Sequence, residues 1–344
     1  MRSGTHTGNA AFSIVEVLAV SAILVVMMGF LLGVMDQTTR IWSGTAAKVE
    51  QFRAARVGFE RVTTRLSQAT LNTYWDYDSP TLPTRYLRQS ELRFIAGSAA
   101  TLLGNIPAAS RATHAVFFNA PLGVTSNTGY AGLANALNTL GYFVELGDDS
   151  AQRPPFITPD ILALRWRFRL MEFSQPTEKF SLYQFTSGNP GAVTTAWFKT
   201  DVNGSAGMKR IVAENVVAFI VTPRLAKTEE LPLQSNATQS PLAPNYSYDS
   251  TGTNANPLLN PKNQLPPVVQ LTMIAIDEKS ADKLDLDSTK ANVFGTDTLF
   301  TDTKKFAADL ATLEATLVAK RVRYRIFTTN VHIRAAKWSR EQKN

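Results

Sequence analysis

The chain opens with eleven polar or small residues, MRSGTHTGNAA, and then turns apolar from residue 12 to about residue 35, reading FSIVEVLAVSAILVVMMGFLLGVM. At 1.5 Å rise per residue this run is long enough to cross a hydrocarbon layer about 30 Å thick as one helix. Its only charge is Glu16. A carboxylate placed deep in lipid costs roughly 2.5–3.5 kcal/mol, so Glu16 has to be shallow, protonated or paired. Gly29 and Gly33 form a small-xxx-small pair that either seats a partner helix or is incidental to a membrane helix.

Past residue 35 the pattern becomes amphipathic. Val49, Phe52, Ala55, Phe59, Val62, Leu66 and Ala69 recur every three or four positions, with Arg53, Arg56, Glu60, Arg61 and Arg65 between them. The spacing predicts that the helix continues over 36–70 and lays one apolar stripe on a globular partner. The rod 12–70 would then measure roughly 85–90 Å. From about residue 71 short alternating runs take over. They predict strands at 92–96, 115–118, 141–146, 161–173, 211–222, Val268–Ile276 and 321–334, and a weaker one at 192–199. Short helical patterns lie over 130–140 and over 304–319, the second capped by Thr301 or Asp302. Residues 225–265, rich in Pro, Asn, Ser and Thr, read as a long surface excursion, partly disordered. One long helix followed by many strands predicts an α+β head over 71–344, an antiparallel sheet packed on that helix.

Composition changes this picture little. The 344 residues, 44% of them hydrophobic, are ample for one globular core. The absence of Cys rules out disulfides without identifying a compartment. A net charge of +7 favours anionic surfaces. Arg2 precedes the apolar run while Arg40, Lys48, Arg53 and Arg56 follow it, so charge counting does not put the N-terminus in the cytoplasm.

The junction Ala11, Phe12, Ser13, Ile14, Val15, Glu16 resembles the class III leader of type IV prepilins and type II secretion pseudopilins: a small residue, Phe, three mostly apolar residues, then Glu. The resemblance implies a leader over 1–11, cut by a membrane prepilin peptidase between Ala11 and Phe12, and methylation of the new Phe12 amine. The membrane half of the helix, 12–35, would stay on the mature protein as a single inner-membrane span with the head in the periplasm. Glu16 of one subunit would pair with the Phe12 amine of a neighbour, removing the desolvation cost of both charges. The family usually carries Gly before the cut, so Ala11 implies slower processing. Related major pilins often hold a Pro where Gly33 stands.

Four further stretches, 53–69, 211–225, 265–278 and 321–338, are similar to the large minor subunits of that superfamily, the J-type pseudopilin and the W-type minor pilin. GYFVELGDD (141–149) with LRWRFRLMEF (164–173) looks like the C protein of a prepilin-like cassette described in Verrucomicrobia. The resemblance implies a pilin-like, non-enzymatic minor subunit of a type IV pilus-like or type II secretion-like fibre, whose partners are sibling subunits. A head this large favours a tip or initiating position. A DNA-binding minor pilin and a single-pass anchored extracytoplasmic domain are the alternatives.

Catalytic signals are few. His6 lies in the leader, and His114 and His332 lie in or beside strands, where a structural role outweighs catalysis. No phosphate loop, nucleophile elbow, zinc-protease or dinucleotide motif occurs. Asp148, Asp149, Asp282, Asp285 and Asp287 are oxygen donors a calcium ion would need, but without EF-hand spacing they read as solvated loop acids. No metal or cofactor is expected. Arg165, Arg167 and Arg169 alternate along one strand pattern and Arg321, Arg323 and Arg325 along another. If both strands share a sheet face, the six form a basic surface for DNA phosphates or acidic partners. Otherwise they face water singly or pair with acids such as Glu172 and Glu178.

Overall fold

A computed structural model describes residues 14–104, 110–183, 195–204 and 208–339, and of Glu16 and residues 39–51 only the backbone. The chain divides at Gln51/Phe52 into two compact units. The first holds helix α1 (Ile14–Gln51). No Pro interrupts it, and two of its hydroxyls bond back within the helix: Ser21 donates to the Leu18 carbonyl at 2.9 Å and Thr38 to the Val34 carbonyl at 2.7 Å.

The second unit opens with α2 (Arg53–Leu66), β1 (Tyr74–Tyr77), β2 (Tyr86–Gln89), β3 (Ile95–Ser98), α3 (Ala99–Leu103), β4 (Ser110–Pro121), β5 (Leu137–Gly147) and β6 (Arg167–Gln175). It continues through α4 (Ala196–Asn203), β7 (Lys209–Glu214), β8 (Val216–Arg224), α5 (Lys227–Glu230), β9 (Tyr248–Asp249), β10 (Val268–Ile276), α6 (Glu278–Lys283), α7 (Phe306–Ala319) and β11 (Tyr324–His332). Among the described residues the strands form a six-stranded sheet ordered β7-β6-β5-β4-β3-β9, a three-stranded sheet β11-β10-β8 and the hairpin β1-β2. All pairings are antiparallel. The class is α+β, an apolar N-terminal helix followed by antiparallel sheets.

The amphipathic pattern works as its spacing requires. Ala55, Gly58, Phe59, Val62 and Leu66 of α2 are buried, and the helix packs on β7, β10 and β11. The Phe59 and Phe327 rings lie 5.9 Å apart. A Cβ on Gly58 would stand 3.1 Å from both Ala213 Cβ and Val212 Cγ1, so glycine sets how closely α2 approaches β7. On the six-stranded sheet, the Phe117 ring stacks on Phe198 of α4 at 3.7 Å and covers Gly141, where a Cβ would lie 2.2 Å from the ring.

Strand β8 packs across β3, β4, β5 and β6, and a bulge in β4 ties the two sheets together. The β4–β5 register shifts between Ala112 and Ala115, leaving Thr113 at φ 55°, a strained value for a β-branched residue. Its hydroxyl donates to the Phe219 carbonyl at 2.9 Å and accepts from the Phe219 amide at 3.0 Å. His114, next in line, accepts the Val221 amide on Nδ1 at 3.2 Å and donates from Nε2 to the Phe300 carbonyl at 3.0 Å. Two side chains thus do for β8 what a neighbouring strand would.

Several expectations are corrected. The helix expected over 130–140 is a 3-10 turn (Thr128–Tyr130), a loop and the start of β5. Its helical spacing had nothing to pack on, since Leu133 is exposed, while Asn138 brackets Val124 with two hydrogen bonds of 2.9 and 2.7 Å. The strand at 161–173 begins only at Arg167. The weak strand at 192–199 is helix α4 from Ala196 on, with 192–194 outside the described residues. The strand at 211–222 is two strands in different sheets, divided at Asn215, whose φ of 60° turns the chain from one sheet into the other. The excursion 225–265 is largely built into the head. Leu242, Ala243, Tyr246 and Tyr248 are buried, β9 pairs with β3, and Asp249 clamps Arg93 with a bond to Nε of 2.9 Å. Its polar residues bond inward, which hydropathy does not register.

Candidate functional site

The apolar helix is the first candidate. Val17–Thr38, 22 residues and about 33 Å at helical rise, is long and apolar enough to cross a membrane, and none of it is buried in the protein. Ile14 is 81% exposed and Phe30 75%, values an aqueous surface would not sustain over a whole helix. Gly29 and Gly33 lie on this helix, and a Cβ added at either would meet nothing within 4 Å. Ala11 and Phe12 lie outside the described residues, as does the side chain of Glu16.

The six arginines do not share a face. β6 belongs to the six-stranded sheet and β11 to the three-stranded one. Arg167 and Arg169 are buried. Arg167 donates to Glu278 at 2.9 Å and bonds Asp282, while Arg169 reaches Glu214 at 3.3 Å and the Gly147 and Asp148 carbonyls at 2.9 and 2.6 Å. Arg165, half exposed, spans Glu278 and Glu214 at 3.1 and 3.4 Å. Arg321, Arg323 and Arg325 are exposed, with Arg325 over the Phe327 ring at 5.6 Å. A continuous basic surface of six is therefore absent: three of the six neutralise Glu214, Glu278 and Asp282. Burial pushes Glu278 up, but bonds from Arg167 and Asn215 outweigh it and hold the carboxyl below its usual range.

Glu172 and Glu178 pair elsewhere. Glu178 accepts from Thr125 and from the Ser126 amide, both at 2.8 Å. Glu172, fully buried on β6, accepts Arg61 at 3.0 and 3.3 Å, Tyr142 at 2.7 Å and Arg210, with Arg65 at 4.0 Å. Burial opposes its charge, yet Arg61, Tyr142 and Arg210 more than offset that and keep it ionised below the ordinary carboxylate range. One acid thereby fastens α2 to β5, β6 and β7. The sequence carried a hint in Arg61 and Arg65, which lie one turn apart on the helix.

The remaining candidates resolve into local structure. Lys290 sits between Asp285 and Asp287 at 3.5 and 3.4 Å, an ammonium where a bound cation would need to be. Asp149 pairs with Arg153 at 2.9 Å, and Asp148 accepts the Ser150 amide at 2.9 Å. Among the described residues no group of three or more His, Cys, Asp or Glu gathers to hold a metal. His114 spends both ring nitrogens on backbone groups, and burial lowers it to about 4. His332 is exposed at the end of β11. No protein family, curated protein or solved structure matches the chain.

Proposed function

We propose that this protein is a non-enzymatic, membrane-anchored fibre subunit of the pilin and pseudopilin kind. The observation that carries the reading is the sequence of elements: an unburied apolar helix of spanning length, then an amphipathic helix whose stripe is buried on an antiparallel head. The junction Ala11–Phe12 with Glu16 supplies the cleavage site and the assembly charge. The head's titratable groups support a structural role, since Glu172, Glu278, Arg167, Arg169 and His114 are all consumed in holding its layers together. With three of the six alternating arginines committed to acids, the head favours protein partners over nucleic acid.

The test is expression of the full chain beside a prepilin peptidase. Mature protein should begin at Phe12, resist alkaline extraction from membranes, and cross-link to sibling subunits. Glu16→Ala should insert equally well and fail to join them. A solitary bilayer-bound monomer that keeps Met1 refutes the assignment and leaves a plain anchored domain.

A further inference from the structure

The three-stranded sheet changes character along its length. On one face, at the end where Tyr324 donates to Glu314 of α7 at 3.1 Å, the cross-strand pairs are Ile276 with Tyr324 and Ile274 with Ile326. The next pair is Thr272 with Thr328, hydroxyls 3.2 Å apart. Beyond it Gln270 pairs with Asn330, and Val268 lies between Arg224 and His332. Apolar residues thus give way to hydroxyls, then to amides and charges. At this polar end the segment 225–237 borders the strands along an open cleft of about 630 Å³, within the usual size of ligand sites.

The lining is built, not incidental. Glu230 is only 4% exposed. Its Oε2 takes the Arg224 Nε at 2.9 Å, while Oε1 completes no hydrogen bond among the described residues, although the Leu225 amide approaches the carboxylate. Arg224 directs its two Nη groups to Gln270 at 3.0 Å, the Gln239 carbonyl at 3.1 Å and the Thr238 carbonyl. A buried carboxylate oxygen without a donor is costly and asks for an N–H from outside. Lys227, one turn before Glu230, and His332 across the cleft also line it, and both are exposed. Leu225, Leu231, Pro267 and Val268 add an apolar wall. A simple cation would meet Lys227 and a simple anion would meet Glu230, so the arrangement suits a ligand that carries both charges.

We propose that the cleft binds a short zwitterionic peptide with an apolar first residue. Its ammonium completes Glu230 Oε1, its carboxylate lies toward Lys227 and His332, and its side chain rests on Leu231, Pro267 and Val268. The oxygen is closed to water, so seating the ammonium requires a small rotation of the carboxylate toward the cleft. Asn330 and the amide of Gln270, whose oxygen accepts from Arg224, line the cleft beside the peptide backbone.

Calorimetric titration of the full chain in detergent tests this with the tripeptide Leu-Gly-Gly, its N-acetylated form, its C-terminal amide and free leucine. Leu-Gly-Gly should bind, acetylation or Glu230→Gln should weaken it at least tenfold, and amidation or Lys227→Ala should weaken it less. Because Glu230→Gln leaves Arg224 buried beside a neutral group and can unfold the head, the pair Asn330→Ala and His332→Ala on exposed β11 positions serves as the second variant. It should lower affinity with an unchanged melting midpoint. Free leucine binding as tightly as the tripeptide narrows the ligand to an amino acid of the same chemistry. No heat from any of the four compounds, or an affinity indifferent to acetylation, overturns the proposal.

Discussion

Mild acid is expected to loosen the seam between the two sheets through a single side chain. His114 is fully buried, packed against the Tyr246 ring with centroids 4.5 Å apart, and holds one tautomer. Nε2 must carry the proton because its partner, the Phe300 carbonyl, only accepts, and Nδ1 must be bare because the Val221 amide donates to it. Protonating Nδ1 turns two donors against each other and places a charge where no described acid contacts the ring. The folded value is about 4 against an ordinary 6.5, burial being the chief cause. The unfolded chain therefore binds the proton more readily between these values, and stability falls as pH falls. Linkage gives about 3 kcal/mol present at pH 7 and removed by pH 4, with about 2 kcal/mol already gone at pH 5.

The assay is urea unfolding of the full chain in detergent, followed by near-UV circular dichroism at pH 7, 6 and 5. Carboxylates such as Glu172, Asp249 and Glu278 are held below their ordinary values and lose their contribution at lower pH, while Glu230, which burial raises, works in the opposite sense, so the comparison of wild type with a His114 variant isolates the histidine. His114→Gln keeps an acceptor and a donor without a titration. It should be less stable at pH 7 by about 1–2 kcal/mol and nearly flat to pH 5. A wild type that is itself flat over this window, or a His114→Gln protein that keeps the full slope, refutes the reasoning.

Glu172→Ala should cost about 1–3 kcal/mol, since it leaves the buried Tyr142 hydroxyl without its acceptor, while Arg61 and Arg210, about half exposed, turn to water, and chemical unfolding would read it directly. Gly58→Ala should cost about 1–3 kcal/mol by overpacking α2 against Val212 and Ala213, whereas Val57→Ala, on the exposed side of the same helix, should change the midpoint little. Arg167→Ala should destabilise by removing the buried guanidinium that ties β6 to the partly exposed Glu278 and Asp282 of α6, while Arg165→Ala, about half exposed, should stay within about 1 kcal/mol. Removing residues 1–35 should release the protein from membranes into the aqueous fraction, as judged by sedimentation.

The parts of the fold legible in the sequence were those where one periodicity met one surface. The stripe from Ala55 to Leu66 is buried as spaced, Val268–Ile276 is a strand over its whole predicted length, and Asp302 caps the turn leading into α7 with a bond of 2.9 Å to the Lys304 amide. The failures came where a polar residue looks inward. Asn138, Ser240 and Ser250 are buried because they bond backbone carbonyls or amides of distant segments, and those partners have no trace in local hydropathy. Asn215 hid a change of sheet inside what reads as one continuous apolar run. The cleft beside Glu230 was likewise invisible, because its walls come from β8, β10, β11 and the segment 225–237 that composition marks as a loose excursion.

The arginine pattern shows why alternation alone does not define a binding face. In a strand exposed on one side, Arg at every second position would line up toward solvent, but of 321, 323 and 325 only Arg325 lies in β11, Arg321 and Arg323 preceding it. On β6 both sides are covered, so the same alternation drives Arg167 and Arg169 into the protein, where each must find an acid. The acids come from separate elements, Glu214 at the end of β7 and Glu278 and Asp282 on α6, just past β10. Charges that would have served an external phosphate instead join the edge of one sheet to the end of the other, and Asn215, donating to Glu278, sits at the point where the chain passes between them. A nucleic acid docking on this head would be left with Arg321, Arg323 and Arg325 from the two patterns, and three phosphate contacts give a salt dependence of only about the third power. The arginines of β6 therefore serve the head's architecture before any external ligand.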